Sequence, residues 1–204
     1  MTNRDIEVVL FDLGGVLVEL TGTTTLMSWT KLHQSPEKLW DFWLTSPTVR
    51  AFETGKTKPH EFANRLIAEL SLSVEREIFV EAFTHWPKRL FTGALDLVGE
   101  VRPSLVRATL SNTNSLHWPR LMHEMGLADA FDHHFPSHLT GKIKPDKNAF
   151  ETVLEKMRWR PRSVLFLDDN LPNVETAASL GIQAFHVRGL DEARAVLERA
   201  RVLR

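Results

Sequence analysis

The sequence predicts an α/β fold: an open, doubly wound parallel sheet with an all-helical insert after its first strand. Three observations predict it. Residues 6–11, Ile-Glu-Val-Val-Leu-Phe, are mostly apolar and β-branched, as strands buried on both faces of a parallel sheet are. Runs of the same character recur at 105–110, 164–167 and 182–187, each next to a helical pattern, and alternating strands and helices imply a doubly wound sheet. Residues 18–87 break that rhythm and read as helical throughout.

The first strand stops at Asp12, before Gly14 and Gly15. The insert holds Trp29, Trp40, Trp43 and Trp86, which read as its core, with turn signals near Gly22, Ser35-Pro36, Pro47, Gly55 and Lys58-Pro59. The remainder resumes the strand–helix alternation, so the chain divides into a core of residues 1–17 and 88–204 and an insert of residues 18–87. A helix over 145–158 is predicted by Ala149, Phe150, Val153, Leu154 and Met157, which recur at amphipathic spacing. Residues 173–180 and 191–203 also read as helices.

Composition narrows the class. With 204 residues, 43% hydrophobic and 25% charged, the chain can bury its own core. A net charge of -1 gives no general attraction to nucleic acid or an acidic membrane. The absence of cysteine excludes disulfides and thiolate metal sites and is compatible with a cytoplasmic setting. No apolar run is long enough to span a bilayer, and the apolar stretch Ile6–Leu20, broken by Glu7, Asp12 and Glu19, does not read as a signal peptide. Partners are therefore expected among small molecules, with the chain a monomer or a homodimer.

Chemistry is expected beyond the carboxyl ends of the strands, where open α/β sheets bind ligands. Asp12 follows the first strand, Ser111-Asn112-Thr113-Asn114 the second, and Asp168-Asp169 the run at 164–167. The loop Gly141-Lys142-Ile143-Lys144-Pro145 leads into a helix. Singly, each has an ordinary explanation: a turn residue, a helix cap, a surface lysine. Together they set three carboxylates, a hydroxyl and a lysine on one rim. Clustered carboxylates repel unless a cation lies among them, and oxygen-only ligation suits Mg2+. A carboxylate presented beside such a cation can attack phosphorus and form an acyl phosphate, with the hydroxyl, backbone N–H groups and lysine neutralising the equatorial oxygens.

In this order, the segments Phe-Asp-Leu-Gly-Gly-Val (11–16), Leu-Ser-Asn-Thr-Asn (110–114), Lys144-Pro145-Asp146 and Leu-Asp-Asp-Asn (167–170) resemble the four motifs of the haloacid dehalogenase superfamily. The insert resembles that superfamily's helical cap. Ser-Asn-Thr-Asn-x-x-His (111–117) and Phe-Glu-x-Gly (52–55) are most similar to the α-D-glucose-1-phosphate phosphatase-like members. The epoxide hydrolase N-terminal phosphatase domains are the next comparison. The resemblance implies a Rossmann-like core and an Mg2+-dependent phosphatase acting on a small phosphorylated metabolite, a sugar phosphate foremost. It implies Asp12 as nucleophile and Asp12, Asp169 and the Gly14 carbonyl as metal ligands, with Asp168 as a ligand or just behind one. Ser111, Asn112 through its N–H, and Lys144 would hold the phosphoryl group, and His117 would face the substrate.

The chain departs from that pattern at one position. Most phosphatases of the superfamily carry a second aspartate, the acid–base group, where this chain has Gly14. General acid–base catalysis contributes roughly 10²–10⁴-fold, so its loss weakens such an enzyme without abolishing it. Esters whose leaving oxygen needs little protonation, such as sugar 1-phosphates, are expected to be favoured. Two other readings stand: a dehalogenase, which uses an attacking aspartate without a metal, and a phosphate-binding relative without turnover. Glu53 and Trp43 are the insert residues singled out as pocket-facing. His133, His134 and His138 are expected to be structural, since neighbours on a strand point to opposite faces.

Overall fold

Apolar alternation in the first strand decides the architecture of the computed structural model, which describes residues 6–30 and 35–204. Strand β1 (Val8–Phe11) is buried at every position. Val9 and Phe11 join one hydrophobic cluster, with Leu97, Val98, Val196 and Leu197. Val8 and Leu10 join another, with Phe150, Val153 and Ala177. Period-two alternation thus feeds two cores, so both faces must be covered by helices.

From β1 the chain passes through strand β2 (Val18–Leu20) into helices α1 (Gly22–Trp29), α2 (Pro36–Thr45), α3 (Pro47–Glu53), α4 (Pro59–Glu69) and α5 (Arg76–Thr84). Strand β3 (Pro87–Leu90) closes this excursion. The core then continues with α6 (Ala94–Glu100), β4 (Val106–Ser111), α7 (His117–Pro119), β5 (His133–Pro136), α8 (Ser137–Thr140), α9 (Lys147–Met157), β6 (Val164–Asp168), α10 (Leu171–Ser179), β7 (Gln183–His186) and α11 (Gly189–Arg199). The main sheet has the order β5-β4-β1-β6-β7, and every pairing is parallel. This is the doubly wound α/β fold that the sequence predicts.

Two readings of the sequence are corrected. Residues 18–87 are not helical throughout, because β2 pairs antiparallel with β3 and makes a two-stranded stalk under the helices. Its ties are local and charged: Glu19 meets Lys88 at 2.9 Å and Arg89 at 2.8 Å. The part of that helical reading over residues 31–34 lies outside the described residues. The second correction is β5, a sheet-edge strand absent from the four apolar runs. Its sequence, His-His-Phe-Pro, has too little apolar character to announce a strand. Of the three histidines, His134 is held between Thr109 and the Ala128 carbonyl, His133 packs against Trp159, and the His138 ring meets Trp118 edge-on. No helix among the described residues is long and apolar enough to cross a membrane.

Four of the turn signals inside the insert mark helix starts, and Gly55 follows the end of α3. Ser46 caps α3 by accepting the Val49 N–H at 3.3 Å, with Pro47 in the first turn. Phe52, Phe62, Phe79 and Phe83 fill a core separate from both sheet cores, and the Phe52 and Phe62 rings stack at 4.2 Å. Trp29 and Trp43 pack against this core and Trp86 lies within it.

Candidate active site

Strand register assembles the site. Phe11 is level with both Thr109 and Leu167, so Asp12 leaves β1 beside the ends of β4 and β6. The Asp12 N–H donates to the Leu167 carbonyl at 2.8 Å, which fixes that carboxylate next to Asp168 and Asp169. Among the described residues, one oxygen each from Asp12, Asp168 and Asp169 lies within 4.8 Å of the others.

Lys144 closes the group from the far side. It is 3% exposed, and its Nζ lies 2.9 Å from Asp12 and 2.6 Å from Asp168. Its backbone is clamped by one side chain: Asn112 Nδ2 donates to the Lys144 carbonyl at 2.8 Å, and Asn112 Oδ1 accepts the Lys144 N–H at 2.9 Å. The peptide that follows, Lys144-Pro145, is cis. Asn112 thereby serves Lys144 with its side chain and keeps only its N–H for a ligand. Ser111, buried at the end of β4, makes one long contact of 3.5 Å to the Asn112 carbonyl, so its hydroxyl is able to turn to an incoming anion.

The two later carboxylates differ. Asp168 is wholly buried. One oxygen accepts from the Asn170 N–H at 2.8 Å and the other from Lys144, while the Asn173 amide reaches both at 3.0 and 3.1 Å. With both oxygens engaged, it orients Lys144 and the turn into α10. Asp169 lies against Gly15, where an added Cβ would stand 2.1 Å from Asp169 Oδ2. Gly15 also has φ +70°. A Gly15→Ala variant therefore adds backbone strain to a collision and should lose about 1–3 kcal/mol of stability. Weaker Mg2+ binding, read by calorimetry, should accompany it.

Electrostatics test whether a cation fits. Burial pushes Asp12 up to about 7, and Asp168 and Asp169 add to the rise although Lys144 opposes it. Burial and Asp168 push Asp169 up to about 6. Ionising both at neutral pH is thus resisted by the protein alone, and a hard dication reverses that balance. The donor set, oxygen only and partly exposed at Asp169, fits Mg2+.

Above this floor opens a cavity of about 630 Å³. Glu53 and Trp43 both line it, and the Trp43 indole acts on the Glu53 carboxyl to lower its pKa, against the burial that raises it. His117 lines it too, but not as a free hydrogen-bonding group. Its Nε2 donates to the Phe83 carbonyl at 2.7 Å and its Nδ1 accepts from Asn114 Nδ2 at 3.1 Å. Burial keeps the ring neutral, with its pKa near 4. His117 thus ties the core to α5 through both nitrogens and offers the cavity its ring surface. Asn173 escaped sequence reasoning. Its signal was a position five residues after Asp168, one turn into the following helix.

A family model described as haloacid dehalogenase-like hydrolase matches residues 6–181. The chain belongs to the haloacid dehalogenase-like hydrolases. It is 28% identical to a sesquiterpene phosphatase of Aspergillus oryzae, over 87% of this chain and 88% of that one. It is 25% identical to a D-ribitol-5-phosphate phosphatase of Bacteroides thetaiotaomicron, over 87% and 89%. A family enzyme from the latter organism, solved with magnesium and inorganic phosphate, superposes with a TM-score of 0.71 at 24% identity, covering 90% and 94% of the two chains. The chain is thus a hydrolase of a family with phosphatase-named members. These two named relatives are phosphatases of other substrates than the glucose 1-phosphate of the sequence resemblance.

Proposed function

We propose that this hydrolase is an Mg2+-dependent phosphatase that cleaves small phosphate esters through an aspartyl-phosphate on Asp12. One observation carries the reading: Asp12 meets the Lys144 ammonium at 2.9 Å and shares a cluster, within 4.8 Å, with the carboxylates of Asp168 and Asp169. Asp12, Asp169 and the Gly14 carbonyl would hold Mg2+, which would offset phosphate charge against an attacking carboxylate. Ser111, the Asn112 N–H and Lys144 would hold the phosphoryl oxygens. The helical insert would act as a cap that excludes water. The dehalogenase reading requires no metal, and leaves the grouping of Asp12 with Asp169 unexplained. The proposed setting is cytoplasmic, with no nucleic-acid or membrane partner.

The organic part of the substrate is proposed to be apolar. The sequence resemblance favours a sugar phosphate, whose hydroxyls need polar partners, whereas much of the cavity wall consists of leucine and tryptophan. Leu20, Trp40 and Leu44 line it while 47%, 41% and 47% exposed. Large apolar side chains gathered around an opening mark a ligand surface. The sesquiterpene phosphatase relative fits that surface better than the ribitol-5-phosphate relative.

The test is turnover with Mg2+ on p-nitrophenyl, farnesyl, glucose 1-, glucose 6- and ribitol 5-phosphates. The farnesyl ester should exceed the sugar and polyol esters in kcat/KM by about tenfold or more, since burying some 60–100 Å² of apolar surface contributes about 1.5–3 kcal/mol. EDTA should abolish activity. A preference for glucose 1-phosphate would restore the sugar reading, and EDTA-resistant release of halide from a haloacid would replace the phosphatase reading altogether.

A further inference from the structure

The core offers no acid–base group at position 14, and the acidic residues around the cavity leave one that can serve. Asp12, Glu19, Glu37, Glu53 and Asp169 line it. Asp12 and Asp169 belong to the nucleophile and metal set. Glu19 is held by Lys88 and Arg89. Glu37 stands exposed at the start of α2. Glu53, on α3, is only 8% exposed. We propose that Glu53 gives the proton to the leaving oxygen and takes one from the attacking water, working from the insert where a residue at position 14 would work from the core. The proposal rests on the phosphatase reading and names a further residue for that reaction.

Its placement is fixed from both sides. Arg50, one turn before Glu53 on α3, pairs with Asp146, two residues beyond Lys144. Gly55, two residues after Glu53, sits so close to the core that a Cβ there would lie 2.4 Å from the His138 carbonyl oxygen. The helix carrying Glu53 is therefore pressed onto the core next to the Lys144 loop, and the Trp43 indole acts on its carboxyl. The charged groups that act on it are Lys144 and Asp12, on the floor below. Burial pushes the carboxyl up to about 7 against the pull of Trp43 and Lys144. At neutral pH both the acid and its conjugate base are populated, as a group serving two half-reactions requires.

The steps balance. In the first, an Asp12 oxygen bonds to phosphorus and the ester P–O bond breaks. The Glu53 proton passes to the departing oxygen, giving the free alcohol, the acyl phosphate and a Glu53 carboxylate. In the second, that carboxylate takes a proton from water as the water oxygen bonds to phosphorus. The Asp12–phosphorus bond breaks, releasing phosphate and restoring Glu53 to its acid form.

The experiment compares wild type with Glu53→Gln, which keeps the volume and removes the transferable proton. Single-turnover rates with Mg2+ isolate the first step over phosphate esters whose leaving groups range from p-nitrophenol to simple alkyl alcohols. The variant should lose about 10²–10⁴-fold on alkyl esters and only a few-fold on p-nitrophenyl phosphate, whose leaving oxygen needs no proton. Glu53→Asp, an acid drawn back by one methylene, should fall between wild type and Glu53→Gln on alkyl esters. An equal loss on all esters would make Glu53 a binding or packing residue and overturn the proposal, while leaving the phosphatase reading intact. A wild-type protein inert towards every ester would instead defeat that reading, and the proposal with it.

Discussion

Asp12→Asn is expected to stop turnover of every phosphate ester, by about 10⁴-fold or more, as removal of a covalent nucleophile does. The amide keeps the shape of the side chain and the backbone bond to Leu167, but it offers phosphorus no carboxylate oxygen. The fold should survive. Asp12 has a pKa raised above its unfolded value by burial and by Asp168 and Asp169, so its ionised form destabilises the native state. Its favourable contribution is complete below the unfolded value of 3.8 and is lost as pH rises through about 7. At pH 8 the variant removes that unfavourable charge, while Lys144 keeps Asp168 as partner at 2.6 Å. The metal-free variant should therefore melt no lower than wild type, and the stabilisation that Mg2+ gives wild type should shrink or vanish. Thermal melts with and without Mg2+, run beside the assay, check both halves. Retained turnover would remove Asp12 from its assigned role.

The site was more legible in the sequence than the insert was. Asp12, Ser111 and Asp168-Asp169 were readable because a parallel sheet brings its strand ends to the same rim, so three separated segments become neighbours by topology alone, and Lys144 was readable from its motif. The strand at His133–Pro136 was not readable. An edge strand packs fewer apolar neighbours, and its residues carry no alternation to detect. The stalk of β2 and β3 was hidden for another reason: three and four residues are too few for a period, and its pairing partner lies some seventy positions away. Division of labour among the polar residues was also beyond spacing. That Asn112 clamps the Lys144 backbone, that Asp168 is occupied by Asn173, and that both His117 nitrogens are engaged are facts of three-dimensional hydrogen bonding. Which insert residues face the pocket was not readable from spacing, although Glu53 and Trp43, the two singled out, do line it.

Lys144→Met should give the largest loss of stability of any single change in the site. Methionine matches the aliphatic stem of lysine, so little packing is lost, and the effect is electrostatic. Without the ammonium, Asp168 is a wholly buried carboxylate whose remaining donors are the Asn173 amide and the Asn170 N–H, all neutral. Removing one partner of a buried ion pair costs about 3–5 kcal/mol, a large share of a total of about 5–15 kcal/mol. For a chain of this size that lowers Tm by on the order of 10 °C. Dependence on pH separates this cause from a packing defect. In wild type, the Lys144 pKa is raised by Asp12 and Asp168 against the burial that lowers it. Its contribution is therefore fully present below the unfolded value of 10.5 and is lost only as pH rises through a still higher native value. Across pH 5–8 the ammonium remains charged, so any change in the deficit over that range reports the carboxylates. Stripped of its cation, Asp12 must titrate above its present value of about 7, and protonation at pH 5 relieves the cluster. The gap between wild type and variant should consequently narrow from pH 8 to pH 5 in metal-free buffer, and Mg2+ should narrow it further at pH 8. A gap equal at both pH values would mean that Lys144 holds the loop by packing alone, and would break the electrostatic account of the site.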